Sequence, residues 1–198
     1  MVRLYKETGD CNLAPDLQSY NSLLQAWGNQ ANQDKHENES SRKAQLVLDK
    51  MIADFQSGES RVKPDAFCFS KVIYLHSTQC TAADKNSSEK EKATTAASIA
   101  KIEELLFETM PKLGVRRTKY AYASLQHAYA RSGFQNATKV IQDLVERMKQ
   151  DNCTTSAVNY NAILHRFPKQ LLTNNLYDLP KRCSPIWKTA HTAWNPTD

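Results

Sequence analysis

The chain has 198 residues, 40% hydrophobic and 24% charged, enough for one ordinary domain or a short repeat array. No stretch approaches the roughly 18 consecutive apolar residues of a transmembrane helix, so no membrane partner is expected. Lys and Arg outnumber Asp and Glu by 26 to 21, a net charge of +5 that suits a polyanionic partner without requiring one. The five cysteines are scattered, odd in number and form no CxxC pair, which argues against a disulfide framework and for a reducing compartment. With His36, His76, His127, His165 and His191 they also lack metal-ligand spacing, so neither a metal nor a cofactor is predicted. Four Asn-x-Ser/Thr sequons, at Asn38, Asn86, Asn136 and Asn152, read as chance matches, because the opening "MVRLYKETGD" is neither a signal peptide nor a long Arg/Ser-rich presequence.

Residues 1–16 read as the tail of a preceding repeat. "VRLYKETG" has the character of a second helix whose first helix is missing, so the chain is expected to begin within an array, as a piece of a longer protein. "NLAPD" then stops the chain direction with Pro and caps the next helix with Asp. Residues 17–65 form the first unit. Its helix A places Tyr20, Leu23, Leu24 and Trp27 at i, i+3, i+4 and i+7, one buried helical face. A polar insertion follows over 29–42, without an apolar stripe and read as a mobile loop. Helix B spans 41–55 with Ala44, Val47, Leu48 and Met51 inward, and "VKPD" closes the unit.

Residues 66–118 repeat the plan. Phe69 leads helix A with Val72 and Ile73, a second polar insertion covers 80–95, and helix B runs over 91–110 with Ala97, Ala100, Leu105, Leu106 and Met110 inward. The boundary "GVRRT" puts Arg-Thr where Pro-Asp stood. Residues 119–156 form the tightest unit: Tyr122 and Leu125 in helix A, a short "ARSGFQ" turn, and helix B over 135–148 with Ala137, Val140, Ile141, Leu144, Val145 and Met148 inward. Residues 157–178 are a partial fourth unit led by Tyr160, and 179–198 a poorly specified C-terminal tail. The leading aromatics Tyr20, Phe69, Tyr122 and Tyr160 are each followed by one small or polar residue: Asn21, Ser70, Ala123 and Asn161. The fold expected is all-α, a solenoid of three to four stacked helix–turn–helix units, each leaning on its neighbours because none buries its apolar face alone.

"PDLQSYNSLLQAW", "AQLVLDKM", "VKPD" and "SAVNYNAIL" resemble the pentatricopeptide repeat family, over roughly residues 1–165. The carriers are the Tyr-Asn before an apolar pair, the Ala and Met of helix B, the Gly before the boundary and the closing Pro-Asp. Units two and four are degenerate, and the two insertions depart from the compact unit length. The resemblance implies sequence-selective binding of single-stranded RNA, about one base per unit, in organellar RNA processing, stability or translation. It places the chain in a mitochondrion or plastid; without an import segment the chain would be cytoplasmic. Physically, the first turns of parallel A helices line one concave surface, where side chains meet successive bases of an extended strand. An Asn amide offers donors and an acceptor to a pyrimidine edge.

The family rule pairs that residue with the last one before the next unit. Asn21 then works with Asp65, a pairing associated with uracil, and Ser70 with Thr118. Ala123 with Ser156 reads nothing, and Asn161 has no assigned partner. The base-stacking positions of the family fall on Gln18, Phe67, Tyr120 and Val158. Phosphate contacts fall to Lys112, Arg116, Arg117, Lys119 and Arg131, a stretch with no acid between its members. The partner implied is single-stranded RNA containing uracil, with protein partners alongside and no small-molecule substrate. The rival reading is a protein–protein interaction scaffold, in which the same surface holds a peptide or a partner helix. No acid–base pair, nucleophile set, glycine-rich phosphate loop or metal cluster argues for an enzyme.

Overall fold

A computed structural model describes residues 14–33, 39–80 and 88–153. The chain divides into two compact units, Met1–Ile163 and Leu164–Asp198, and every described residue lies in the first. The partial fourth repeat, the tail over 179–198, and with them Val158 and Asn161, fall outside the described residues.

The elements alternate as the periodicity predicts, and among the described residues there is no strand. The A helices are α1 (Leu17–Gln33), α3 (Ala66–Thr78) and α6 (Lys119–Ser132). The B helices are α2 (Glu39–Gln56), the compound helix made of α4 (Glu89–Glu103), a π-helical turn (Glu104–Thr109) and α5 (Met110–Lys112), and α7 (Ala137–Gln150). Each A helix starts on a side-chain cap. Asp16 accepts from the Ser19 N–H at 2.7 Å, Asp65 from the Cys68 N–H at 2.9 Å, and Thr118 from the Ala121 N–H at 3.1 Å. The two long B helices that reach the boundary in full end alike. Gly114 and Asn152 take positive φ, and the next N–H reaches back to a methionine carbonyl: Val115 to Met110 and Cys153 to Met148, both 2.8 Å.

Packing follows a nearest-neighbour rule. α1 packs on α2 and α3; α2 on α3; α3 on α4 and α6; α4 on α6; α6 on α7. Each A helix thus touches its own B helix, α1 and α3 touch the next A helix, and α2 and α4 touch the A helix that follows. This is an α-solenoid, and its core runs along the stack: Leu24 and Leu48, then Phe69, Ile73 and Ile102, then Tyr122, Leu125 and Leu144, all buried.

Three details depart from the sequence reading. The insertions over 29–42 and 80–95 are shorter than expected as loops, since α1 runs on to Gln33, α2 begins at Glu39 and α4 at Glu89. Gln, Glu and Lys are good helix formers and extend an exposed helix end without an apolar stripe. In α4, Ala97 and Ala100 face solvent, while Thr95, Ser98, Ile99 and Ile102 are buried. Turning two isoleucines inward removes far more apolar area from water than turning two alanines, so the Ile face wins. Finally, Pro111 has no N–H to give to the carbonyl four residues back; the preceding turn widens, and the Met110 N–H reaches Leu105 instead.

Candidate nucleic-acid interface

The caps fix where the first turns lie. Counting from the cap, Gln18, Phe67 and Tyr120 take the second helical position, and Asn21, Ser70 and Ala123 the fifth. Phe67 is 43% exposed and Tyr120 66%, large rings left in solvent while Phe69 and Tyr122 two residues on are buried; Gln18 is exposed in register with them. A cation stands over each ring. Lys71 Nζ lies 5.2 Å from the Phe67 centroid and Lys119 Nζ 5.2 Å from that of Tyr120.

The fifth residue of α3 meets the cap of α6, and that of α1 reaches the first turn of α3. Ser70 Oγ and Thr118 Oγ1 are 2.8 Å apart. Ser70 donates its only proton to the Ala66 carbonyl at 2.6 Å, so Thr118 donates to Ser70 while accepting from the Ala121 N–H. Asn21 and Asp65 are brought together through one residue. Asn21 Oδ1 accepts from the Cys68 thiol at 3.0 Å, and Asp65 accepts from the Cys68 backbone N–H. Burial pushes that thiol up to about 12, so it remains a donor at neutral pH. Cys68 escaped the sequence reading. Its signal is positional: it is the third residue of α3, where the first turn faces the previous A helix.

The five basic residues do not form one patch. Arg116 is exposed just ahead of α6, and Lys119 opens it. Lys112 sits at the end of the compound helix, paired with Glu108 at 3.3 Å, both exposed. Arg131 stands at the opposite end of α6 from Lys119, twelve residues on and about 18 Å along the axis. Arg117 is engaged within the fold: its Nε lies 2.9 Å from Asp151, and its guanidinium is 5.8 Å from the Phe107 ring. Asp151 also accepts from the Tyr122 hydroxyl at 2.6 Å; burial and this bond raise that hydroxyl's pKa. Asp151, missed in the sequence, thus ties the boundary before α6 to the end of α7. Pro111, Val115, Arg116, Arg117 and Asp151 line a shallow recess there. Among the described residues, no group of His, Cys, Asp and Glu could hold a metal ion, and no helix is long and apolar enough to cross a membrane.

Residues 105–170 match the family model of the pentatricopeptide repeat domain. The match begins in the π-helical turn, runs through α6 and α7, and continues beyond the described residues. The first unit, which carries the fuller set of motif residues, lies outside it. No curated protein matches the chain.

Proposed function

We propose that this chain, whose residues 105–170 match the pentatricopeptide repeat domain, is a sequence-selective single-stranded RNA-binding module acting in a mitochondrion or plastid. The observation that carries the reading is that Ser70 meets the cap Thr118 directly and Asn21 is linked to the cap Asp65 through Cys68, beside exposed Phe67 and Tyr120. Units one and two each thereby present a pair of polar side chains, with the Phe67 and Tyr120 rings beside them. Asn21 with Asp65 offers donors and acceptors together and reads uracil. Ser70 with Thr118 has both hydroxyl protons committed, that of Ser70 to the Ala66 carbonyl and that of Thr118 to Ser70, so the pair presents lone pairs to a base that donates. Ala123 contributes no polar edge. Phe67 and Tyr120 stack on bases, each worth roughly 1–3 kcal/mol, while Gln18 stacks weakly. Arg116 and Lys119 contact phosphate at the first turn of α6 and Arg131 farther along it; Lys112 adds long-range attraction, and Arg117 positions the boundary through Asp151.

Fluorescence anisotropy with labelled uracil-rich and adenine-rich RNA, across a salt series, tests this. Binding that weakens steeply with salt and prefers uracil is expected. Asn21→Ala should cost about 1–3 kcal/mol on the uracil strand and little on the other, whereas Arg116→Ala should weaken both alike. Equal loss across sequences for Asn21→Ala would remove its reading role. No binding at low salt would favour a peptide-holding scaffold, for which exposed Leu23, Phe67 and Tyr120 would serve as apolar anchors.

A further inference from the structure

Charge is segregated between the two layers. Among the described residues, α1, α3 and α6 contain no Asp or Glu, and their cations are Lys71, Lys119 and Arg131. The B helices hold acids and bases in balance and neutralise them within themselves, as in Lys43–Glu39, Lys50–Asp54 and Lys149–Glu146. None of the three A-layer cations makes an ion pair among the described residues. The exposed stripe of each A helix continues past the first turn, to positions one and four residues beyond the fifth. In α3 these are Lys71 and Tyr74, the latter 39% exposed; in α6 they are Ser124 and exposed His127; in α1 they are Ser22 and Gln25.

We infer that Lys71, Tyr74 and His127 form a second row on α3 and α6, and that this row seats the ribose–phosphate backbone of the strand whose bases enter at the first turns. The inference rests on the RNA-binding reading above. Tyr74 and His127 lie seven residues beyond the stacking positions Phe67 and Tyr120, about 10 Å along the axis, with Lys71 between, so a base at the first row leaves its sugar and phosphate over the second. Beyond the capping Asp16 and Asp65, α1, α3 and α6 bring no carboxylate to a phosphate chain laid along them. Lys71 supplies charge; Tyr74 and His127 supply hydrogen-bonding rings that suit a sugar hydroxyl or a phosphate oxygen. The matching row of α1 is neutral, Ser22 and Gln25, and there Gln25 donates to Asn29 at 2.8 Å. Units two and three therefore grip the strand, and unit one selects it.

The experiment uses the full chain and the same two labelled RNAs. Lys71→Gln should weaken both equally and lower the slope of log affinity against log salt by about 0.7. The pair Tyr74→Ala and His127→Ala, both exposed and checked for fold by circular dichroism, should weaken both strands equally by about 5- to 20-fold, with uracil preference intact. Ser22→Lys, which gives unit one the missing cation, should strengthen both and steepen the slope. If the parent chain binds uracil-selectively and these variants leave affinity and slope unchanged, the second row is not a contact and the first-turn reading stands. If the parent binds neither RNA, the RNA-binding reading itself falls, and this inference with it.

Discussion

At the scale of the residue, His76 shows how a polar group is accommodated between layers. It lies in α3, half-buried, with Nε2 3.0 Å from Gln45 Oε1 of α2. Burial first, then the nearby positive charge of Lys101, holds its pKa down to about 4 against an ordinary 6.5. In the unfolded chain the imidazole takes its proton near pH 6.5; in the folded chain it resists until about pH 4. The unfolded state binds more protons across that window, so stability is whole above pH 6.5 and declines as pH falls toward 4. The loss is up to about 3 kcal/mol. Urea midpoints at pH 7 and pH 5 should differ for the parent chain and converge for His76→Gln, which keeps a partner for Gln45 and removes the titration. Phe69 represents the opposite kind of residue, fully buried and apolar in the central unit. Phe69→Ala should cost about 3–5 kcal/mol, measured by urea unfolding.

At the scale of the element, helix ends decide the unit boundary. Gly114 has φ +62° and Asn152 +55°, so the same left-handed position is filled once by the residue that adopts it freely and once by one that tolerates it. Gly114→Ala should destabilise by about 1 kcal/mol, and Asn152→Gly should raise the melting temperature slightly; thermal denaturation of the two variants checks the pair. Much of this was legible in the sequence. Asp16, Asp65 and Thr118 cap where a capping oxygen was expected, and the leading aromatics Tyr20, Phe69 and Tyr122 are all buried. Periodicity also gave the alternation of A and B. What it did not give depends on contacts distant in the chain. Whether Ala97 or Ile99 faces inward is a question of which rotation buries more area against α3 and α6, not of spacing within α4. The π-helical turn needs the carbonyl that Pro111 cannot serve. The engagement of Arg117 by Asp151, 34 positions later, has no local signature. The meeting of Ser70 with Thr118 was suggested by family resemblance alone and is geometric only once α3 packs on α6.

At the scale of the molecule, the stack has a middle and edges. α3 and α6 each pack on helices of their own unit and of a neighbouring one. Stability in such an array is a sum of unit and interface contributions, so opening begins where neighbours are fewest. Hydrogen exchange should find the slowest amides in α3 and α6, with earlier exchange at the exposed ends of α2 and α4. Uniform exchange across all helices would mean that the described units open as one block.

Among the described residues, the A helices carry cations and no acid past their caps while the B helices neutralise themselves, a lopsidedness that the overall charge does not convey. A polyanion arriving from any side feels a torque before it touches, and is turned toward the three A helices. Two copies meeting through α3 and α6 would set Lys71, Lys119 and Arg131 against their own sign.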